Sequence, residues 1–251
     1  KRRPIGVGII NFAYWLAKQN LSYQHITPEG LELVDEWAEA WSYYLIKASA
    51  DLAAEQGAIP GLMETKYGYG ITPNQTYKKD VDELVPHRER MPWDDLREQL
   101  KTTGIRNSTL MALMPSETSA QIANATNGIE PPRAYISVKQ SKHGVLKQVV
   151  PEYKRLKNKY DLLWDQRSPE GYLKIMAVFQ KYIDQGISVN TSYNPIFFED
   201  EKIPMSVMLQ HLIMFYKYGG KQLYYFNTND GQGEIDVSKM FTVQDTEEPA
   251  A

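Results

Sequence analysis

Hydrophobic positions along the chain alternate between helix-like stripes and short strand-like runs. Apolar residues at spacings of three and four fill one face of residues 28–57, 169–186 and 204–219, which predicts three amphipathic helices. Thr27 before Pro28 is a typical helix start, because a threonine hydroxyl can cap the first turn and proline lacks an N–H that this turn leaves unpaired. The methionines of the third stripe fit plain core filling. We predict further helices at residues 5–19, 93–103 and 153–164.

Strand-like runs lie between these helices. Residues 109–114, 187–191 and 221–226 are short and largely apolar, which is typical of buried strands. Residues 134–140 and 145–150 flank a turn and alternate in polarity, which predicts one β-hairpin. Helices that alternate with short strands indicate the α/β class.

The C-terminal stretch differs from the rest of the chain. Residues 227–251 hold six acidic residues against a single lysine, and few large apolar side chains. We therefore predict a flexible acidic tail over residues 227–251 and a folded domain over residues 1–226.

A polar turn follows the apolar run at residues 109–114 and opens a short helix. The first turn of a helix carries unpaired N–H groups and partial positive charge, so a phosphate could bind there among three hydroxyl groups. Glu117 would satisfy the same N–H groups and repel an anion. Thr118 and Gln121 fit a capping box, so a well-capped helix without a ligand is the alternative. The residues of this turn are Pro115, Ser116, Glu117, Thr118 and Ser119.

Composition and charge argue against several function classes. A net charge of −3 gives no basic face for nucleic acid, and the chain has no apolar run of about 18 residues that would predict a membrane span. The basic N-terminus lacks a signal-peptide cleavage site, and we expect a cytoplasmic location. The four histidines are far apart, so we expect no metal site. These 251 residues contain no cysteine, which excludes disulfides and thiol nucleophiles among them.

Three segments carry a resemblance to a known family. They are Trp93-x-x-Leu96 with Gly104-Ile105-Arg106-Asn107 and Met111-Ala112-x-x-Pro115, then Asn124-Ala125-Thr126-Asn127-Gly128-Ile129-Glu130-Pro131-Pro132, and finally Tyr224-Tyr225. Together they resemble the large (α) catalytic subunit of ribonucleotide reductase, in the aerobic class I group that works with a diiron small subunit. The resemblance extends from about Arg3 to Asp230 and covers only the C-terminal part of that subunit.

The resemblance implies a fold and a set of roles. The chain would form part of a ten-stranded α/β barrel with the substrate at its centre. The turn at residues 115–119 would hold the phosphates of a ribonucleoside diphosphate. Tyr224 and Tyr225 would relay a radical between the diiron–tyrosyl radical of the small (β) subunit and an active-site cysteine. This chain itself would bind no cofactor, and thioredoxin or glutaredoxin would supply reducing electrons.

The tyrosine pair also has a plain explanation, since tyrosine is common in strands. Neighbours on a regular strand point to opposite faces, so a stacked pair requires the strand to end or distort there. Asn190 and Thr191 end another predicted strand and are second-rank site candidates, because strand ends collect polar groups in α/β proteins.

The absence of cysteine from the chain leaves three hypotheses open. In the first, the chain is inactive alone and works with the N-terminal part of the large subunit, which carries the cysteines, and with the small subunit. Half a barrel has an open sheet edge, so we expect the chain to be stable only when it is docked to the missing part. In the second, the chain is a non-catalytic remnant that docks to the rest of the reductase. In the third, it is a separate phosphate-binding module, which the retained tyrosine pair argues against.

Overall fold

The computed structural model describes residues 1–141 and 144–229. The α-helices of this part of the chain are α1 (Phe12–Gln19), α2 (Pro28–Gln56), α3 (Pro73–Thr76), α4 (Trp93–Thr103), α5 (Glu117–Ile122), α6 (Tyr153–Leu156), α7 (Glu170–Gln180) and α8 (Met205–Lys217). The strands are β1 (Ile136–Ser141), β2 (Gly144–Val149), β3 (Val189–Tyr193) and β4 (Leu223–Thr228). No helix within residues 1–141 and 144–229 is long and apolar enough to cross a membrane.

The long helix α2 confirms the signals that predicted it. Thr27 Oγ1 accepts a hydrogen bond from the backbone N–H of Gly30 at 3.1 Å, as expected of an N-cap. Pro28 occupies the first helical turn, and Gly57 ends the helix with a φ of 83°. The apolar stripe of α2 packs against α7 and forms the main core.

Four extended segments run parallel to one another and carry the candidate site. Val7 bridges Met111 and Leu113 bridges Ile187, both in the parallel sense, and β3 pairs with β4 in parallel. Spatial order therefore follows chain order, which fits the predicted α/β class. The described residues contain no closed barrel. We call these segments the parallel arc; they comprise residues 5–8, 109–114, 187–193 and 223–228.

A half-buried carboxylate fixes the second segment of the parallel arc. Asp184 Oδ2 accepts the backbone N–H of Leu110 at 2.8 Å, and Oδ1 accepts that of Met111 at 2.9 Å. The Tyr67 hydroxyl donates to Oδ2 at 2.8 Å. Burial raises the pKa of Asp184, while these hydrogen bonds act in the opposite direction. The chain just before β3 is thereby tied to the strand that leads to the polar turn.

The predicted β-hairpin is confirmed. β1 and β2 are antiparallel, with pairing from Ile136 opposite Val149 to Ser141 opposite Gly144. The predicted acidic tail lies mostly outside the described residues, which end at 229. Within them, β4 continues to Thr228, two residues beyond the predicted strand.

The predicted helix over residues 5–19 is wrong in its first half. Val7 donates its N–H to Leu110 O at 2.7 Å, so this segment is paired as a strand. Asn11 has a left-handed φ of 67°, and α1 begins only after it. A short apolar run does not distinguish a buried strand from a buried helix, and tertiary pairing decides between them.

The helix predicted to end at Gly186 stops earlier, at Gln180. The last turn of the helix is a 3-10 turn, in which the backbone N–H of Lys181 donates to the carbonyl oxygen of Val178, three residues earlier, at 3.2 Å. The Gln180 side chain then donates to Ile183 O at 3.3 Å and holds the chain in a turn.

The helix predicted over residues 153–164 is broken. It contains α6 and two 3-10 turns, Lys157–Lys159 and Leu163–Asp165. Asp161 lies between those turns, and its Oδ2 accepts bonds from Ser22 Oγ and the Tyr23 N–H, both at 2.6 Å. A tertiary contact therefore overrides the local helix preference here.

A cluster of buried charges ties α2 to α7. Lys181 Nζ lies 2.7 Å from Asp35 Oδ1, and both side chains are 0% exposed. Arg90 Nη1 lies 2.8 Å from Asp35 Oδ2 and 3.0 Å from Glu39 Oε2, and Trp93 Nε1 donates to Glu39 Oε1 at 2.9 Å. We call these five side chains the buried ion network. Each carboxylate has several partners, which offsets the cost of burying charge.

The apolar stripe of α8 is present but faces outward. Met205, Ile213 and Tyr216 are 65%, 64% and 69% exposed, whereas Phe215 is the buried residue of this helix. The prediction that the methionines fill the core is therefore wrong for Met205. β4 adds exposed aromatic residues nearby. We call these side chains the open surface: Met205, Leu209, Leu212, Ile213, Tyr216, Tyr224, Tyr225 and Phe226.

Candidate functional site

The polar turn lies at the carboxyl end of the second segment of the parallel arc. Pro115 is exposed, Ser116 is buried, and the next three residues, Glu117, Thr118 and Ser119, are exposed at the start of α5. In α/β proteins, ligands bind at this edge of the sheet. The predicted turn therefore has the exposure and the position that a ligand site requires.

The predicted capping box is wrong. α5 begins at Glu117 with Ser116 as its N-cap, so Thr118 lies inside the helix. Ala120 N donates to Ser116 O at 2.8 Å and starts the helix two residues earlier than predicted. The Ser116 hydroxyl donates to Met114 O at 3.2 Å instead of capping the helix. The helix start therefore lacks the side-chain cap on which the ligand-free alternative depended.

The loop at residues 124–130 packs against the turn. Gly128 has a left-handed φ of 49°, and a Cβ there would lie 3.7 Å from Met114 O. Asn11 Oδ1 accepts the Thr126 N–H at 3.0 Å and anchors this loop to the start of α1. Asn127 Oδ1 is buried and has no hydrogen-bond partner among the described residues. It lines a cleft of about 90 Å³ that Glu117 also borders.

The two tyrosine rings lie against each other. The ring centroids of Tyr224 and Tyr225 are 4.2 Å apart, with an angle of 52° between the ring planes. The pair is thus tilted rather than stacked. Both rings are exposed. A side-chain hydrogen bond with Tyr225 raises the pKa of the Tyr224 phenol.

A β-bulge brings the two rings to the same side of the strand. Val189 pairs with Leu223, and Thr191 pairs with Phe226. β3 advances by two residues between these pairs (191 − 189) while β4 advances by three (226 − 223), so β4 holds one extra residue. Two tyrosines consequently lie opposite the single residue 190. This is the strand distortion that the sequence required for a close pair.

Asn190 bonds to the bulge through its side chain. Its Oδ1 accepts the backbone N–H of Tyr225 at 2.9 Å, and its Nδ2 donates to Glu130 Oε1 at 2.6 Å. Burial raises the pKa of Glu130, while the bond from Asn190 acts in the opposite direction. Thr191 is buried in the core. The structure therefore brings Asn190, but not Thr191, to the tyrosine pair.

Glu130 and Asn190 lie between the turn and the tyrosine pair. A narrow gap is lined by Pro115, Glu130, Ser188 and Asn190, among others. The carboxyl end of the second segment of the arc and the first residues of the third segment thus face one small region. Sequence reasoning placed Glu130 within a family-like segment but gave it no role. The available signal was its position directly before Pro131-Pro132, in the loop that faces a strand end.

Comparison with known proteins identifies the family. Residues 1–226 match the family model described as "Ribonucleotide reductase, barrel domain". The chain belongs to the ribonucleotide reductase barrel-domain family. The predicted resemblance is therefore confirmed.

Relatives within this family are close over nearly the whole chain. The chain is 52% identical to ribonucleoside-diphosphate reductase 1 subunit alpha of Salmonella typhimurium, with 97% of this chain and 32% of that protein covered. It is 50% identical to the Escherichia coli subunit of the same name, with the same coverage. The enterobacteria phage T4 subunit alpha is 42% identical over 94% of this chain and 31% of its own length. The chain thus spans about a third of these relatives and corresponds to a C-terminal part of the large subunit.

The described residues contain no group of three histidine, aspartate or glutamate side chains that could hold a metal ion. Besides the predicted turn and tyrosine pair, the notable polar groups of the site are Asn190, Glu130 and the unpartnered amide oxygen of Asn127. These side chains bring together hydrogen-bonding groups and two neighbouring phenols.

Proposed function

We propose that this chain supplies the substrate-phosphate turn and the tyrosine radical relay of a ribonucleoside-diphosphate reductase that converts ribonucleotides to deoxyribonucleotides. The observation that carries the proposal is the bulged strand that holds Tyr224 and Tyr225 with ring centroids 4.2 Å apart, in a member of this family. A plain strand would have sent these rings to opposite faces.

The relay step is an exchange of one hydrogen atom. The phenol O–H of one tyrosine breaks and an O–H bond forms on the neighbouring phenoxyl oxygen, so one ring is oxidised as the other is reduced. The step needs no further reagent, but it needs the two phenols close together. Tyr224 and Tyr225 satisfy this requirement, and their exposure leaves them accessible to groups outside this chain.

The turn at residues 115–119 is proposed to hold the substrate phosphates. Support comes from its place at the carboxyl end of a parallel segment, from the N–H groups at the start of α5 and from the exposed hydroxyl groups of Thr118 and Ser119. Replacing Ser119 by alanine is expected to raise KM for a ribonucleoside diphosphate about 10- to 150-fold with little change in kcat, since a hydrogen bond to a charged group contributes about 1.5–3 kcal/mol. An unchanged KM would argue against this assignment.

The rest of the reaction requires groups that these 251 residues lack. The chain has no cysteine, so the cysteines are proposed to come from the remainder of the large subunit, on the same polypeptide or on a separate one. The proposed radical source is the diiron–tyrosyl site of the small subunit, and the proposed reductant is thioredoxin or glutaredoxin. The chain alone is expected to be inactive. The proposed setting is the cytoplasm.

The absence of cysteine also favours a second candidate. The chain could serve as a structural remnant that only docks to the rest of the reductase. The close tyrosine pair argues against it, because a docking surface does not require a bulge that holds two phenols together.

Reductase activity tests the proposal. The chain is combined with the remainder of the large subunit, the small subunit, thioredoxin and a ribonucleoside diphosphate. Activity should appear only in the full mixture and fall to background in Tyr224→Phe and Tyr225→Phe, because phenylalanine has no O–H to exchange. Tyr44→Phe, at an exposed tyrosine of α2, is the matched control and should remain active. Activity that survives Tyr225→Phe would overturn the relay, and inactivity of a stable full assembly would favour the structural remnant.

A further inference from the structure

The bulge in β4 leaves a backbone group without its regular partner. Bulges are uncommon in parallel pairs, and the extra residue disrupts the ladder. Tyr225 is one of the two residues that face Asn190 across the bulge, and its N–H is taken by the Asn190 side chain at 2.9 Å. A side-chain amide thus replaces the backbone carbonyl that accepts such an N–H elsewhere in the sheet.

The Asn190 amide is itself held in one orientation. Its Nδ2 donates to Glu130 Oε1 at 2.6 Å, so its oxygen is directed at Tyr225 and its nitrogen at the carboxylate. Glu130 follows Ile129, whose carbonyl oxygen accepts the buried Tyr23 hydroxyl at 2.8 Å. The loop that presents the carboxylate is therefore anchored in the core.

We infer that Asn190, oriented by Glu130, is a positioning residue that keeps the Tyr224 and Tyr225 rings in contact by fixing the bulge. The expected effect on activity rests on the proposed relay. The expected effect on the contact between the two rings does not depend on the relay. Only a residue with both a donor and an acceptor at the end of a short side chain satisfies both bonds. Aspartate has the right shape but lacks the donor, and would place a second carboxylate against Glu130.

A swap of the two polar groups tests the inference. Asn190→Asp should lower kcat of the assembled reductase about 100-fold, since a displacement near 1 Å costs about this much in positioned chemistry. Glu130→Gln keeps an acceptor for Asn190 and should stay within about threefold of wild type. The double variant Asn190→Asp/Glu130→Gln restores a donor–acceptor pair, because the amide introduced at position 130 can donate to the new carboxylate. It should recover most of the lost activity.

A second measurement separates positioning from general stability. The assembled reductase is labelled with 3-fluorotyrosine, and the fluorine signal of Tyr224 is assigned by its loss in Tyr224→Phe. The phenol contact raises the pKa of Tyr224, so Asn190→Asp should lower that pKa while the melting temperature stays close to that of wild type. Ser192→Ala is the matched control. Ser192 Oγ accepts from Asn227 Nδ2 at 3.4 Å, so this variant removes a β3–β4 side-chain bond outside the bulge and should leave the signal unchanged.

The outcomes are distinguishable from failure of the relay itself. If Tyr225→Phe is active but Asn190→Asp still shifts the Tyr224 titration, the relay fails and the positioning role stands. If Asn190→Asp leaves both kcat and the Tyr224 titration unchanged, the positioning role is overturned. A double variant that is no more active than Asn190→Asp alone would also overturn it, because the two side chains would then not act as a pair.

Discussion

Two sides of this molecule differ in which side chains they bury. On the α2–α7 side even charged groups are enclosed, and Lys181 and Asp35 are 0% exposed at 2.7 Å from each other. On the α8–β4 side apolar groups remain outside, with Ile213 and Tyr216 64% and 69% exposed. The buried charges of the first side are paired within the described residues, whereas the apolar side chains of the second side are exposed.

The difference shows which part of the fold is packed within this chain and which part is left exposed. Burying a large apolar side chain contributes about 1.5–3 kcal/mol, and a contiguous exposed apolar patch marks an interaction site. The open surface comprises exposed side chains of α8 and of β4, which is the last strand of the parallel arc. Since the chain spans about a third of its relatives, we expect the remainder of the large subunit to cover this surface.

The largest expected effect concerns the buried ion network. Lys181→Met leaves the two buried carboxylates, Asp35 and Glu39, to share Arg90. One buried negative charge is then uncompensated, so the free energy of unfolding should fall by about 3–5 kcal/mol. Denaturant unfolding measures the loss. Lys174→Met on the same helix is the control. Lys174 pairs with Glu170 at 2.6 Å near the surface, so its loss should cost less than about 1 kcal/mol. Equal effects would show that the α2–α7 side does not depend on its buried charges.

The second effect concerns the open surface. Ile213→Asp should leave the unfolding of the chain unchanged but weaken its assembly with the remainder of the large subunit about 30-fold or more, since central interface residues contribute about 2 kcal/mol or more. Titration calorimetry or sedimentation gives the change. Tyr44→Asp, at an exposed position of α2, should not alter assembly. If assembly with the small subunit weakens instead, the open surface belongs to that interface.

These contrasts were only partly predictable. The start of α2 at Thr27 and Pro28 and the β-hairpin followed from local signals, and both are confirmed. The strand at Val7 was missed, because its pairing partner lies about a hundred residues away. The outward stripe of α8 was predicted as core, since periodicity shows that a helix has an apolar face but not what covers it.

In the candidate site, too, some features were predictable from the sequence, whereas those that depend on tertiary contacts were not. The turn at residues 115–119 was singled out by local helix-start signals and by a family resemblance, and the tyrosine pair by the resemblance. The roles of both stay predictions. The capping box at Thr118 was wrong, because the Ser116 carbonyl starts the helix earlier. The prediction that Asn190 and Thr191 end a strand was wrong, because β3 continues to Tyr193. The contact of Asn190 with Glu130 was not visible in the sequence, since it joins a strand to a loop 60 residues away.

The smallest expected effect is a pH dependence of the free energy of unfolding that arises from Asp184. Burial raises the pKa of Asp184 above the ordinary value of 3.8. The carboxyl group of Asp184 therefore binds its proton more tightly in the folded state than in the unfolded state. Its contribution to stability is greatest below pH 3.8 and declines as pH rises through the folded-state pKa. The difference in unfolding free energy between wild type and Asp184→Asn should thus fall with rising pH over this window. A difference that is flat or rises would contradict the raised pKa.

The central claim is that the open surface is half of an interface, whereas the α2–α7 side is packed within this chain. Hydrogen–deuterium exchange of this chain, measured with and without the remainder of the large subunit, tests it most directly. We predict a stable complex in which exchange slows mainly at α8 and β4, while α2 and α7 are protected equally in both samples. Failure to form a complex, or protection gained mainly at α2 and α7, would contradict the account.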